Sequence, residues 1–170
     1  MGYVYGFDDY NSNDKIIADI VMNNSVDDAI EILEKNNITD AREVVYDKLG
    51  DNVNSYPAPW VLFWSANMSV SKNMLLKIGL FDESYTTWGG EDNDLALALY
   101  TNNAEFILGR DLKSIHYPHE KTHNIIKDPN LAKKELIKKQ EYLLSKYKID
   151  TIKEWFVTHE LELNQKLKKA

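Results

Sequence analysis

The residues best suited to chemistry in this 170-residue chain lie at positions 88–94, where a tryptophan and two glycines precede three acids. Glycines allow a sharp turn and let a substrate approach the backbone closely. Acids at the start of a helix are favoured in their ionised form by the helix dipole. On a helix, Glu91 and Asp94 share one face and Asp92 points elsewhere, because residues three apart are neighbours. One acid can therefore act as a general base while the others bind substrate or brace the loop, although the same pattern also fits an acidic helix start without catalysis.

A second group with chemical potential is a set of three histidines within eight positions, His116, His119 and His123. Pro118 separates the first two, so we expect them in a loop or at the end of a strand rather than on one face of a helix. A single histidine more often has a structural role. Three histidines that follow a predicted strand favour a metal-ligand role for His116 or His119.

The N-terminal elements are predicted from capping residues and apolar spacing. A short aromatic run at residues 3–5 predicts a strand. Ser25 is a plausible N-cap for a helix over residues 26–37, whose apolar residues recur at helical spacing. Thr39 predicts the start of another helix, which Gly50 would end.

The rest of the chain is predicted to alternate between buried and amphipathic segments. The apolar run at 60–70 predicts a buried strand. The other predicted elements are a helix over 71–78 ended by Gly79, a loop over 81–90, a helix over 91–103, one or two short strands over 105–117, and two amphipathic helices over 129–170.

The composition is that of one soluble globular domain. The chain has 20 basic and 27 acidic residues, which gives a net charge of −7, and 44% of its residues are hydrophobic. Such an acidic chain is a poor electrostatic partner for nucleic acid or an anionic membrane surface. No apolar run is long enough to span a bilayer and no secretory signal is present, so we expect a cytoplasmic protein. The absence of cysteine excludes disulfides, thiolate metal sites and cysteine nucleophiles.

Two motifs in sequence order resemble those of a known enzyme family. The pattern G-x-F-D-E is formed by Gly79, Phe81, Asp82 and Glu83, and W-G-G-E-D-x-D follows at 88–94. Together they resemble the acceptor-side motif in the C-terminal part of GT-A glycosyltransferases. The similarity is to the β-1,4-galactosyltransferase type and to bacterial family-2 enzymes such as chondroitin polymerases.

The flanking segments extend this resemblance to residues 57–124. Asn67 and Ser69 fit an upstream asparagine and serine that precede a short helix, and His116 fits a downstream histidine at the end of a strand. The ordered combination of these motifs is much more specific than any one of them.

The resemblance implies a role for each residue of the W-G-G-E-D motif. Asp92 matches the catalytic base of inverting members, which takes the proton from the acceptor hydroxyl. Glu91 matches a carboxylate that hydrogen-bonds the acceptor sugar. Trp88 matches an aromatic that packs on sugar, and Gly89 and Gly90 leave room for the donor.

A metal is implied in the same way. His116 matches a histidine that ligates a divalent ion, usually Mn²⁺, on the nucleotide diphosphate, and His119 is the alternative ligand. Imidazole with carboxylate is a sensible ligand set for Mn²⁺.

The implied fold class is α/β: the C-terminal part of a GT-A (nucleotide-diphospho-sugar transferase) fold, with a short mixed sheet, flanking helices and a helical C-terminus. The chain is expected to form one domain over residues 1–170, with a motif core at 57–124 and C-terminal helices at 129–170. The nucleotide-binding half with its D-x-D carboxylates is not recognised. Residues 92–94 have that spelling but belong to the acceptor motif, and the adjacent Asp8 and Asp9 have the wrong spacing.

The expected reaction is inverting, metal-dependent transfer of a hexosyl residue from a UDP-sugar to a sugar hydroxyl. Three explanations for the missing half stay open: a fragment of a longer enzyme, a subunit whose partner supplies that half, or a degenerate chain. The last would be a non-catalytic glycan-binding or scaffolding module. A missing half should leave apolar surface exposed, so we expect a homo-oligomer or a partner chain. A glycosidase ranks low, because adjacent Glu91 and Asp92 do not obviously place two carboxylates ~5–10 Å apart across a cleft.

Overall fold

The computed structural model describes residues 1–6, 13–87, 89–118 and 129–169. The predictions for five residues lie outside this part of the chain: Asp8, Asp9, Trp88, His119 and His123.

Within the described residues the chain is α/β, as expected, and most of it is helical. In chain order the elements are β1 (Gly2–Tyr5), α1 (Asp14–Asn23), α2 (Val26–Lys35), α3 (Glu43–Leu49), α4 (Lys72–Ile78), α5 (Glu91–Thr101), β2 (Gly109–Ile115), α6 (Pro129–Tyr147), α7 (Asp150–Trp155) and α8 (Glu160–Lys169). Short 3₁₀ helices at Val53–Ser55, Pro59–Leu62 and Ser65–Asn67 lie between α3 and α4.

The sheet is a parallel pair of β1 and β2, with Tyr5 opposite Ile115. The predicted mixed sheet is therefore not seen in the part of the chain that the structure describes. Every residue of β1 is buried, whereas the middle of β2 is exposed. Because the strands are parallel, their carboxyl ends meet at one edge, where the His116 N–H donates to the Tyr5 carbonyl at 2.9 Å.

A buried ion pair covers the other edge of β1. Asp40 accepts the Val4 N–H at 2.8 Å, and Arg42 donates to the Gly2 carbonyl at 2.8 Å. The two side chains also bond to each other, and neither is exposed. They satisfy backbone groups that a neighbouring strand would otherwise pair, which is necessary because an unpaired buried polar group is costly.

The prediction of a buried strand at 60–70 is wrong: residues 60–64 are buried, whereas residues 65–70 are exposed or partly buried, and the segment forms no strand. The chain forms two 3₁₀ helices here, and Trp60, Val61 and Leu62 are fully buried. A short apolar run does not distinguish a buried strand from a buried helical segment. Pro59 begins the first 3₁₀ helix, where its missing N–H costs nothing.

The helix ends predicted from capping residues are confirmed for some helices and wrong for others. Ser25 caps α2 by accepting the Asp28 N–H, as predicted, and Gly79 takes a left-handed conformation after α4. The prediction that Thr39 begins the next helix is wrong, because α3 begins at Glu43. The C-terminal region contains three helices instead of two, because a turn separates α7 from α8.

The main core packs the 3₁₀ segment at 59–62 against α5 and the C-terminal helices. Leu95 and Leu97 of α5, Leu143 of α6 and Leu163 of α8 are all buried in it. The start of α5, where the motif acids lie, is thereby fixed between the 3₁₀ segment and α6.

Candidate active site

The two motif glycines form the turn into α5. Gly89 and Gly90 have φ values of 91° and 92°, a left-handed conformation that residues with a Cβ rarely adopt. A Cβ at Gly90 would also lie 3.0 Å from Tyr85 Cε1. The backbone conformation therefore explains why glycines occupy both positions. Glu91 and Asp92 follow this turn directly.

Asp92 has one carboxylate oxygen bound by a backbone group and one without a partner among the described residues. Its Oδ2 accepts the Ser65 N–H at 3.2 Å. Its Oδ1 is buried and accepts no hydrogen bond from any residue that the structure describes. No ion pair to Asp92 is found among the described residues, so its carboxylate is oriented by a backbone group and not neutralised by a cation.

Glu91 also has a buried oxygen, Oε2, to which no group in the described part of the chain donates a hydrogen bond. Both residues are only partly buried as a whole. Unsatisfied buried acceptors are rare in folded proteins, and they call for a ligand or water that donates to them. For these two adjacent residues, the resemblance implies acceptor binding by Glu91 and base catalysis by Asp92.

Asp94, in contrast, makes contacts that stabilise the fold. It is buried, lies 2.9 Å from Lys146 Nζ and accepts the Tyr147 hydroxyl at 2.8 Å. The sequence predicted that the three acids would divide between chemistry and bracing the loop, and the structure assigns the bracing role to Asp94.

Asp82 of the G-x-F-D-E motif is held by the same lysine. Lys146 Nζ lies 2.8 Å from Asp82 Oδ2, and the Tyr142 hydroxyl also donates to that oxygen. The Lys146 ammonium, with Tyr142, holds the pKa of Asp82 well below its usual range. Burial lowers the pKa of Lys146, but its bonds to Asp82 and Asp94 outweigh burial and raise it. Both motifs are therefore tied to α6.

Sequence reasoning missed this role of α6. The helix was interpreted as an amphipathic helix that closes the domain, but Tyr142, Lys146 and Tyr147 all bond to motif carboxylates. The available signal was the spacing of Tyr142 and Lys146, which are four residues apart and therefore lie on one face of the helix.

The 3₁₀ helix at Ser65–Asn67, whose Ser65 N–H orients Asp92, is connected to the sheet through Asn67. Its side-chain amide donates to the Tyr3 carbonyl at 3.2 Å and to the Leu112 carbonyl at 2.8 Å. Asn67 ends the same 3₁₀ helix that begins at Ser65. A chain of contacts thus runs from Asp92 through this helix to both strands, the second of which leads to His116.

His116 lies directly after β2, as predicted, and its backbone is held by Tyr5. Within the described ranges, no group of three or more histidine, aspartate or glutamate residues is placed to hold a metal ion. His116 therefore belongs to no three-residue metal group in this part of the chain.

A separate cavity of about 360 Å³ lies between α4, α5 and α6. Asp82, Asp94, Lys146 and Tyr147 line it, together with Phe81. Glu83 is a further lining residue and Asp92 is not one, so the motif acids at this cavity are Asp82 and Asp94, which are bound to Lys146, and Glu83.

Comparison with known proteins identifies the segment that contains this site. The family model for the N-terminal domain of galactosyltransferase matches residues 50–121, less than half of the chain. The model is described as an N-terminal domain, so the predicted placement on the C-terminal side of the fold stays a prediction.

Curated relatives match over a similar region. The uncharacterized glycosyltransferase YfnE of Bacillus subtilis (strain 168) is 35% identical over 92 residues, which are 54% of this chain and 21% of the relative. The validoxylamine A glucosyltransferase of Streptomyces hygroscopicus subsp. jinggangensis is 38% identical over 65 residues, 38% of this chain and 15% of the relative. The chondroitin synthase of Escherichia coli is 34% identical over 90 residues, 53% of this chain and 12% of the relative. No solved structure matches the chain significantly.

These matches confirm the resemblance that the motifs predicted: residues 50–121 are similar to glycosyltransferase domains of the galactosyltransferase type. The aligned region spans about a fifth or less of each relative described above. None of the described helices combines the length and the apolar character needed to cross a membrane.

Proposed function

We propose that this chain provides the acceptor side of an inverting GT-A glycosyltransferase, which transfers a hexosyl residue from a UDP-sugar to a sugar hydroxyl. The observation that supports the proposal is the buried Oδ1 of Asp92, which has no partner within the described ranges although the Ser65 N–H fixes the same carboxylate. The other buried acid of the motif, Asp94, already has a cation and a hydroxyl.

In the proposed reaction Asp92 is the general base. Its carboxylate takes the proton from the acceptor hydroxyl as that oxygen attacks the anomeric carbon. The bond from this carbon to the nucleoside diphosphate breaks, and the diphosphate leaves with the electron pair. Attack from the opposite side inverts the configuration, and the proton on Asp92 is later lost to water.

The neighbouring residues bind the two substrates in this proposal. Glu91 accepts a hydrogen bond from a hydroxyl of the acceptor sugar, which would satisfy its buried Oε2. Trp88 packs on the sugar, and the absence of side chains at Gly89 and Gly90 leaves room for the donor.

A divalent metal, Mn²⁺ by analogy with the family, is part of the proposal with His116 or His119 as its ligand. When bound, such an ion would stabilise the negative charge of the leaving diphosphate. Further ligands would have to come from outside the described residues, which contain no three-ligand group. The remaining donor contacts are likewise proposed to come from a nucleotide-binding half, in a longer chain or in a partner.

The proposal is tested by titrating the protein with UDP-glucose, UDP-galactose and UDP-N-acetylglucosamine, with and without Mn²⁺, by calorimetry. We expect donor binding that requires Mn²⁺, is weakened by His116→Ala and is retained in Asp92→Asn. Loss of the base should reduce transfer by roughly 10²–10⁴-fold in Asp92→Asn, the usual contribution of general base catalysis.

Equal donor binding by the wild type and His116→Ala would show that the metal assignment is wrong. Saccharide binding that survives Asp92→Asn, with no binding of UDP or Mn²⁺, would instead identify a non-catalytic glycan-binding module.

A further inference from the structure

Lys139 of α6 reaches the turn that carries the motif glycines. Its Nζ donates a hydrogen bond of 3.0 Å to the carbonyl of Thr87, the peptide group that precedes residue 88. Its aliphatic stem packs beside Gly90, because a Cβ built there would lie 3.4 Å from Lys139 Cδ. The Lys139 side chain therefore contacts both Thr87 and Gly90.

The charge of Lys139 acts on the same site. The side chain is half-buried, and burial lowers the pKa of its ammonium. The carboxylates of Glu91 and Glu135 oppose that shift, which indicates an electrostatic interaction between the ammonium and Glu91. Removing a cation from water is costly, so its placement here must be offset by contacts such as the Thr87 carbonyl.

The turn itself depends on outside support. Gly89 and Gly90 are both left-handed, and glycine has the largest backbone freedom to lose on ordering. The Oε2 of Glu91, directly after the turn, accepts no hydrogen bond from the residues that the structure covers. A contact from α6 that fixes the turn therefore also limits where the Glu91 carboxylate can lie.

We propose that Lys139 is a positioning residue that holds Thr87 and the glycine turn at Gly89 and Gly90 against α6 and thereby sets the orientation of Glu91 toward the acceptor sugar. The second half of this statement rests on the proposed function. Lys139 lies seven residues before Lys146, which holds Asp82 and Asp94, so two lysines on one face of α6 position the two motifs.

Three variants separate this role from a general effect on the helix. Lys139→Met removes the ammonium and keeps most of the stem, while Lys139→Arg restores a cation. Lys138→Met is the matched control, because Lys138 is exposed on the same helix and pairs with Glu135. Amide hydrogen exchange at residues 87–92 and the melting temperature are measured for each variant, without any ligand.

We expect Lys139→Met to speed exchange at residues 87–92 by about 10-fold, the effect of losing one charged hydrogen bond. Lys139→Arg should restore most of the protection, and Lys138→Met should match the wild type. Equal exchange in Lys139→Met and Lys138→Met would overturn the proposal. Uniform loss of protection across α5 and α6 in Lys139→Met, with no rescue by arginine, would also overturn it, because that result indicates a stability effect only.

Acceptor binding is then measured with glucose, galactose, N-acetylglucosamine and glucuronic acid as probes. Lys139→Met should bind the best probe about 10-fold more weakly than Lys138→Met at an unchanged melting temperature, whereas unchanged affinity would show that Lys139 does not orient Glu91. A wild type that binds none of these sugars would count against the proposed function. The exchange data would still decide whether Lys139 holds the turn.

Discussion

At the scale of single residues, four motif acids with similar chemistry have different tasks. Asp82 and Asp94 are bound by Lys146, whereas Glu91 and Asp92 each have a buried oxygen that finds no partner among the residues described. Burial and partners, rather than residue type, decide which carboxylate is available to a substrate. The structure thus favours Asp92 over Asp94 as the prospective base.

The acid pair with Lys146 leads to a prediction about pH. The pKa of Asp82 is depressed in the folded state, mainly by Lys146, so its contribution to stability is present above its unfolded pKa. That contribution decreases as the pH falls below the ordinary value of 3.8, where the carboxyl of the unfolded chain is protonated, and it is lost as the pH falls through the depressed pKa of the folded state. The melting temperature of the wild type should therefore drop more between pH ~5 and ~2 than that of Asp82→Asn.

The matched control for this measurement is Asp19→Asn, at an exposed position on α1. Asp19→Asn should keep the acid sensitivity of the wild type. Parallel curves for the wild type and Asp82→Asn would show that the Lys146 pair does not contribute to acid stability.

At the scale of elements, the short connections carry much of the architecture. The 3₁₀ helix at Ser65–Asn67 contacts Asp92 at one end and both strands at the other. The edge of β1 is covered by the ion pair of Asp40 and Arg42. Arg42 also donates to the Leu62 carbonyl and lies over the Trp64 ring at 4.7 Å, which joins the 3₁₀ segment to the sheet.

This buried pair predicts a large loss of stability on removal of Arg42. Arg42→Ala leaves the Asp40 carboxylate buried without its cation, which should lower the free energy of unfolding by about 3–5 kcal/mol. Arg110→Ala is the comparison, because Arg110 also contacts acids, including Glu43 and Asp51, but is 35% exposed. An exposed pair is expected to contribute about 1 kcal/mol or less. Urea unfolding measures both, and similar losses would contradict the assigned role of the buried pair.

At the scale of the whole molecule, the sheet has one open edge. No strand among the described residues pairs with the outer edge of β2, where Leu112 is 57% exposed, and Ile107 nearby is 70% exposed. Unpaired strand edges and exposed apolar side chains are features of surfaces that associate. The expectation of a homo-oligomer or partner chain stays a prediction, and this edge is its most specific structural support.

The expectation that the protein associates through this edge is tested by light scattering after size-exclusion chromatography. We expect the wild type to elute as more than a monomer, through association of two copies at β2. Leu112→Lys should shift it toward the monomer, because a charge on an edge strand opposes pairing. A wild type that is monomeric at all concentrations would contradict a docking role for this edge.

The sequence by itself determined the helices whose ends carry local signals, and it determined the identity of the motif. Ser25 predicted the start of α2, Gly79 the end of α4, and the ordered motifs predicted the glycosyltransferase resemblance. These signals depend on residues only a few positions apart, so they do not need the rest of the fold.

Only the tertiary structure decided what each acid does and which conformation the apolar run at 60–70 takes. The partner of Asp94 is Lys146, 52 residues away, and the group that orients Asp92 is the backbone of Ser65, 27 residues away. Contacts at such separations depend on how helices pack, and burial is consistent with a strand or with a 3₁₀ turn. Local patterns therefore placed the carboxylates on a helix, while packing against α6 and the 3₁₀ segment separated the prospective base from the anchor.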